Sequence, residues 1–234
     1  VTDEQGLQAV HSKICATLPP IKGVINGAMV LRDTTISKMN FDQLTDVLRP
    51  KVNGSIHLDQ IFWDTNLDFF VLMSSINRVF GNHGQANYAA ANSFLWSLAA
   101  QRRKRGLRAA TVDIGAIIGA GYLERELRRE LDAIVERYNM LRMSEEDWCQ
   151  SICEAIDACR LESPHGPGLT TGLSEVPINA PKPLSWHTNP MFSVFVTSQG
   201  TIQEKQEVKE AVAIEGQLRA CQSAEDVFQV IERE

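Results

Sequence analysis

FFVLMSSINRVFGNHGQANYAAANSFLWSLAAQRR, Phe69 to Arg103, decides how the rest of the chain is read. Its first five residues, Phe69-Phe70-Val71-Leu72-Met73, form an unbroken apolar run, which suits a strand covered on both sides of a parallel sheet. Ser74-Ser75 falls where the chain leaves that sheet. After a polar, Gly-containing loop, Ala89, Ala90, Ala91, Phe94, Leu95, Leu98 and Ala99 predict a helix, on which a spacing of four stacks Tyr88 under Asn92. Open α/β sheets bind ligands beyond the carboxyl ends of their strands, so Ser75, Tyr88 and Asn92 are expected to converge there.

The chemistry of this trio can be argued from the side chains. A phenol with a pKa of about 10 works as an acid or base near neutral pH only if a nearby cation stabilises the phenolate. Ser75 can hydrogen-bond a carbonyl oxygen that is gaining charge. Both roles suit reduction of a ketone, in which hydride reaches carbon and a proton reaches oxygen. The cation has to come from elsewhere in the chain.

With those residues in view, the stretch resembles the active-site segment of a short-chain dehydrogenase/reductase, and most closely the ketoreductase domain of a polyketide synthase of the fungal highly reducing type. Ordinary members of that superfamily place a lysine four residues after the tyrosine, where this chain has Asn92. Polyketide-synthase ketoreductases exchange the two positions. Lys51, in RPKVNGSIHL, lies 24 residues before Ser75, and Tyr88 lies 13 after it, as in that family. The resemblance implies a catalytic set of Lys51, Ser75, Tyr88 and Asn92, with Lys51 lowering the tyrosine pKa and holding ribose hydroxyls. It also implies a Rossmann-like, doubly wound parallel α/β sheet, NADPH as cofactor, and a β-ketoacyl chain delivered by an acyl-carrier protein among other synthase domains.

Composition is compatible with this. A 234-residue chain that is 44% apolar can bury a sizeable core. It has no apolar run of membrane-spanning length and no signal-peptide pattern, so a cytoplasmic protein without a membrane partner is expected. A net charge of -6 argues against nucleic acid. The one dense basic cluster, Arg102, Arg103, Lys104 and Arg105, reads as a solvated helix C-terminus complementing the helix dipole. Cys15, Cys149, Cys153, Cys159 and Cys221 lack paired metal-ligand spacing, and a metal site is not expected; Cys149 and Cys153 read as packing residues of one helix.

Taken in order, residues 2–18 predict a helix opened by a Thr2-x-x-Gln5 capping box, and Ile21 to Ile25 a short strand. Asn26-Gly27-Ala28 then matches, within the resemblance, the loop beneath the cofactor's ribose and nicotinamide. Met29-Val30-Leu31-Arg32-Asp33 occupies the place of a bacterial Leu-Asp-Asp signature; only Asp33 is kept, and it can equally cap a turn. Residues 40–63 predict a helix whose candidate core positions are Phe41, Leu44, Val47, Leu48, Val52, Ile56, Leu58 and Ile61, with Lys51 inside it. Leu107 to Ile114 gives another strand, and the resemblance sets Gly115 to Ile118 against the nicotinamide; a plain connection explains those residues equally well. A charged amphipathic stretch over 122–139 stands where the family has a helical lid, though surface salt bridges account for it too. Ser144-x-x-Asp147 opens a helix carrying Trp148, Ile152, Ala155 and Ile156, and Leu169 to Leu173 is a last strand.

The expected organisation is a partial ketoreductase domain over 1–176, a Pro-rich strap over 177–199 and a helical linker over 200–234 toward an acyl-carrier domain. The resemblance covers roughly residues 1–195 and only the catalytic half of the reductase, because no strand, Gly-rich turn and helix of a pyrophosphate site is found. Two other readings stand beside it: an inactive truncated fragment or scaffold, and a stand-alone short-chain reductase of a small ketone.

Overall fold

The computed structural model describes residues 1–119, 121, 125, 131–163, 166–177, 184, 186 and 190–197. The expected linker over 200–234 and most of the region around 122–130 lie outside them. The chain divides into a unit Val1–Ser174 and a second beginning at Glu175.

In the first unit the elements run α1 (Glu4–Thr17), β1 (Gly23–Asn26), α2 (Phe41–Ile61), β2 (Phe69–Ser75), α3 (Asn77–Phe80), α4 (Ala86–Lys104), β3 (Ala110–Ile114), β4 (Ala116–Ile117), α5 (Leu131–Tyr138), β5 (Arg142–Met143), α6 (Glu145–Ala158) and β6 (Gly168–Thr170). The main sheet has the order β1-β2-β3-β6 and is parallel throughout. Alternation along β2 explains its unbroken apolar run. Phe70 and Leu72 face Leu58 and Phe62 at the end of α2 and Leu95, Leu98 and Ala99 of α4, whereas Val71 faces Ala155, Ala158 and Cys159 at α6. Both faces of the strand are therefore covered, as the run predicts.

Local chemistry sets the helix ends. Asn40 and Gln43 form a reciprocal capping box at the start of α2, and Ser144 and Asp147 another at α6. At α1 the cap is Asp3 rather than Thr2: its carboxylate accepts from the Gly6 N–H at 3.0 Å, and the helix begins at Glu4.

Three sequence expectations change. The buried face of α2 is Val47, Pro50, Lys51, Gly54, Ser55, Leu58 and Asp59, whereas Phe41 is 76% exposed. Steps of three and four residues make that set one helical stripe in which Lys51, Ser55 and Asp59 are interleaved with apolar residues, each of the three having a partner from another element. Arg102 is not solvated. It is fully buried, paired with Asp59, and lies 4.0 Å from the Phe70 ring centroid, while Arg105 reaches the same carboxylate at 2.5 Å and stacks on Trp63. Arg103 donates to the carbonyls of Ala158, Arg160 and Leu161, capping the end of α6 from across the sheet. Cys149 and Cys153 are exposed, because α6 turns Ser151, Ala155 and Ala158 inward; Cys159 is the one buried thiol among the described residues, pushed up to about 11 by burial.

In the second unit β7 (Val176–Pro177) pairs parallel with β8 (Val196–Thr197), and Trp186 and Phe192 are both buried with ring centroids 5.1 Å apart. Among the described residues no helix is long and apolar enough to cross a membrane.

Asp59 neutralises two arginines at a site that is almost closed to water. Asp59→Ala is expected to lower stability by about 3–5 kcal/mol, the usual result of stranding a buried charge. Phe41→Ala, on the same helix, is expected to change it by less than about 0.5 kcal/mol. Urea unfolding of the reductase domain containing this chain measures both, and equal losses would refute the assignment of the buried face.

Candidate active site

The ends of β1, β2 and β3 and the turns that follow them open into a cavity of about 260 Å³. Its lining includes Gly27 after β1, Ser74 and Ser75 at the end of β2, Asn77 at the start of α3, and Ile114 and Gly115 at the end of β3. Lys51 and Tyr88 join them from α2 and α4, and Tyr138 from α5.

Lys51 is 3% exposed, and its ammonium donates to the Met73 carbonyl of β2 at 2.7 Å. Burial pulls its pKa down from 10.5 to about 8. The same nitrogen lies 5.5 Å from the centroid of the Tyr88 ring. Its single hydrogen bond leaves donor capacity at the cavity wall.

Tyr88 is buried and its hydroxyl lies 3.8 Å from the Met29 sulfur. Burial pushes the phenol up; the Asn92 and Ser75 side chains favour the ionised form and oppose this, and the charge of Asp33 adds to the rise. Burial is the largest of these influences, so desolvation outweighs the side chains that favour the phenolate. Tyr88 is protonated at neutral pH.

Ser75 accepts the Asn77 N–H at 3.2 Å, which turns the chain sharply out of β2. Asn92 donates from Nδ2 to the Tyr88 carbonyl at 2.9 Å, and its fully buried Oδ1 has no partner among the described residues. Lys51, Ser75 and Tyr88 thus share the cavity. Asn92 stands one helical turn behind Tyr88.

The expected cofactor-loop residues divide. Gly27 and Gly115 line the cavity, but Asn26 does not. Its amide is committed on both sides, Nδ2 donating to Ser55 of α2 at 2.8 Å and Oδ1 accepting from Ala28 N at 3.1 Å, so it fixes the turn that presents Gly27. Ala28 contributes that N–H. Ile118 bonds back to the Met143 carbonyl, and Ile117 takes the place in the lining. Gly115 is held against Gly172: a Cβ on it would sit 2.9 Å from the Gly172 Cα.

Sequence reasoning missed Asn77, Gln85 and Tyr138. A signal for Gln85 exists, since 85, 88 and 92 follow steps of three and four and share one helical face. The bidentate, buried pair of Arg78 with Asp113 was missed as well. It ties α3, and with it the turn after Ser75, to β3.

Comparison with known proteins fits this geometry. The profile of the KR domain matches residues 1–119. The chain is 52% identical to a highly reducing polyketide synthase of Penicillium decumbens and 47% identical to one of Neocamarosporium betae, over 99% and 100% of its length. It spans only 8% of each of those relatives. Among solved structures, a ketoreductase from the first module of phoslactomycin biosynthesis in Streptomyces sp. HK803 superposes with a TM-score of 0.64 at 30% identity, over 73% of this chain and 38% of that one.

Below about pH 8 the Lys51 ammonium is charged in both folded and unfolded states, so the folded state bears its full desolvation. Between about 8 and 10.5 the folded state binds fewer protons, and stability rises with pH. Lys51→Met is therefore expected to be more stable than the parent at pH 7, by up to the order of 3 kcal/mol. That advantage should shrink as pH climbs to 10.5; urea midpoints at pH 7, 9 and 10.5 that keep a constant gap would refute a depressed lysine.

Proposed function

The chain belongs to the ketoreductase (KR) domain family of polyketide synthases, and from that membership we propose that its cavity reduces a carrier-bound β-ketoacyl chain to the β-hydroxyacyl form. The observation that carries this reading is the meeting of Lys51, Ser75 and Tyr88 at the carboxyl end of the sheet, around one cavity.

Tyr88 is the proton donor. Burial keeps its phenol protonated until a developing alkoxide needs the proton. Ser75, at the edge of the same cavity, hydrogen-bonds the ketone oxygen and stabilises the charge gathering there. Lys51 supplies positive potential beneath the tyrosine ring, favouring the phenolate left after transfer. Asn92 orders the helical turn behind Tyr88 and offers Oδ1 to the path by which the phenol regains a proton.

We take the cofactor to be NADPH, following the family. The residues present suit the nicotinamide end: Gly27 and Gly115 let backbone approach closely, and the Lys51 ammonium keeps protons for ribose hydroxyls. When bound, that group supplies hydride to the substrate carbon. An acyl-carrier protein and the other domains of a synthase are the partners this reading requires.

Tyr88→Phe in the parent synthase is expected to reduce ketone reduction by 10²-fold or more, with NADPH affinity and unfolding midpoint preserved. Ser75→Ala should lose about 10²-fold, mainly in kcat. Turnover of a diketide thioester, followed by NADPH oxidation, checks both; a Tyr88→Phe enzyme with wild-type turnover would sink the assignment.

A further inference from the structure

A chain of amide groups runs along one wall of the cavity, and its direction is set by a single carboxylate. Asp33, as an anion, can only accept. Gln85 must therefore turn its Nε2 toward Asp33, to which it donates at 2.8 Å. That leaves Gln85 Oε1 to accept, from Asn77 Nδ2 at 2.7 Å and from Asn82 Nδ2 at 3.1 Å. Asn82 Oδ1 in turn takes the Tyr138 hydroxyl at 2.5 Å. Each amide orientation follows from the one before it.

The consequence falls on Asn77. It lines the cavity, is 5% exposed, and with its NH2 pinned on Gln85 holds its carbonyl oxygen Oδ1 as a pure acceptor. That oxygen is buried and has no partner among the described residues. A buried acceptor without a donor is costly, and it stands two residues from Ser75. The same lining includes the flexible side chains of Met29, Met73 and Met140, so the wall can yield by the small amount an incoming donor needs.

We propose that Asn77, oriented by Asp33 through Gln85, is a substrate-positioning residue whose Oδ1 accepts an amide N–H of the bound reactants. Two groups in a ketoreductase complex carry such a donor: the amide nearest the thioester on the carrier's pantetheine arm, and the nicotinamide carboxamide. A diketide or acyl chain without that arm has none. The inference rests on the reductase reading only for the identity of these ligands; Asn77 takes no part in proton or hydride transfer.

The test uses two ligand pairs and a reductase domain complete enough to bind cofactor. The first pair is a diketide N-acetylcysteamine thioester and its analogue with the amide NH replaced by an ester oxygen. The second is NADPH and its 3-acetylpyridine analogue, in which the carboxamide NH2 becomes methyl. Dissociation constants are measured by calorimetry, and turnover is recorded separately. In the parent protein, the N–H-bearing member of one pair should bind about tenfold more tightly. Asn77→Leu, similar in shape but without an acceptor, should erase that preference, and the pair in which it collapses names the donor.

Should Asn77→Leu not fold, Asp33→Asn serves, since Asp33 is exposed and a neutral amide there no longer dictates which way Gln85 faces. It should weaken the same preference and leave that of the other pair alone. If both preferences are the same in the parent and in the folded variant, the inference is wrong. Discrimination in binding without any turnover would leave it standing and overturn the ketoreductase reading instead.

Discussion

The structure depends on α2 burying a polar stripe. Lys51, Ser55 and Asp59 lie on its inner face in successive turns, and each is met by a different element: Lys51 by the Met73 carbonyl of β2, Ser55 by Asn26 at the end of β1, Asp59 by Arg102 of α4 and Arg105 just beyond it. Burying these groups without partners would cost several kcal/mol. With partners, the stripe becomes a gauge that sets the height of α2 against both strands and the neighbouring helix. The position of the Lys51 ammonium follows from that, because neither Ser55 nor Asp59 can shift by a turn without losing its contact.

The same constraint explains the division of labour around the cavity. Strand ends deliver Ser75 and the glycine turns; helices deliver Lys51 and Tyr88. The turn carrying Ser75 is further fixed by the buried Arg78–Asp113 pair, to which Thr170 of β6 adds a hydrogen bond at 3.1 Å. A site assembled from several strand ends and helices in this way has little freedom to adjust one member alone.

Sequence made some of this legible and hid the rest for physical reasons. The apolar run of β2 and the alanine-rich α4 announce themselves, while Lys51 was grouped with Ser75 and Tyr88 only through the family resemblance; the three line one cavity. The buried face of α2 was misread because periodicity was sought in apolar residues, and Phe41 scored where Asp59 and Ser55 are the buried members. Arg102 was misread likewise, since a charge in a basic cluster gives no sign that a carboxylate 43 residues earlier awaits it. Asn26, read from the resemblance as part of the cofactor loop, is held by Ser55 and the Ala28 N–H. Asn77 and Gln85 carry no signature in isolation; only the hydrogen-bond directions reveal which of their atoms are spoken for.

The contact between Gly115 and Gly172 joins two loops that are far apart in the chain. Gly172 has a φ of 77°, and an added Cβ on either residue would come within about 3.0 Å of the other's Cα. Neither position can drift independently, because a side chain gained at one is not relieved by any change at the other, which already has nothing to give up. Over evolutionary time the two loops are therefore expected to be inherited as a unit. Diversification of the cavity floor near β3 is left to neighbours such as Ile117, whose side chain can change size without asking backbone to move.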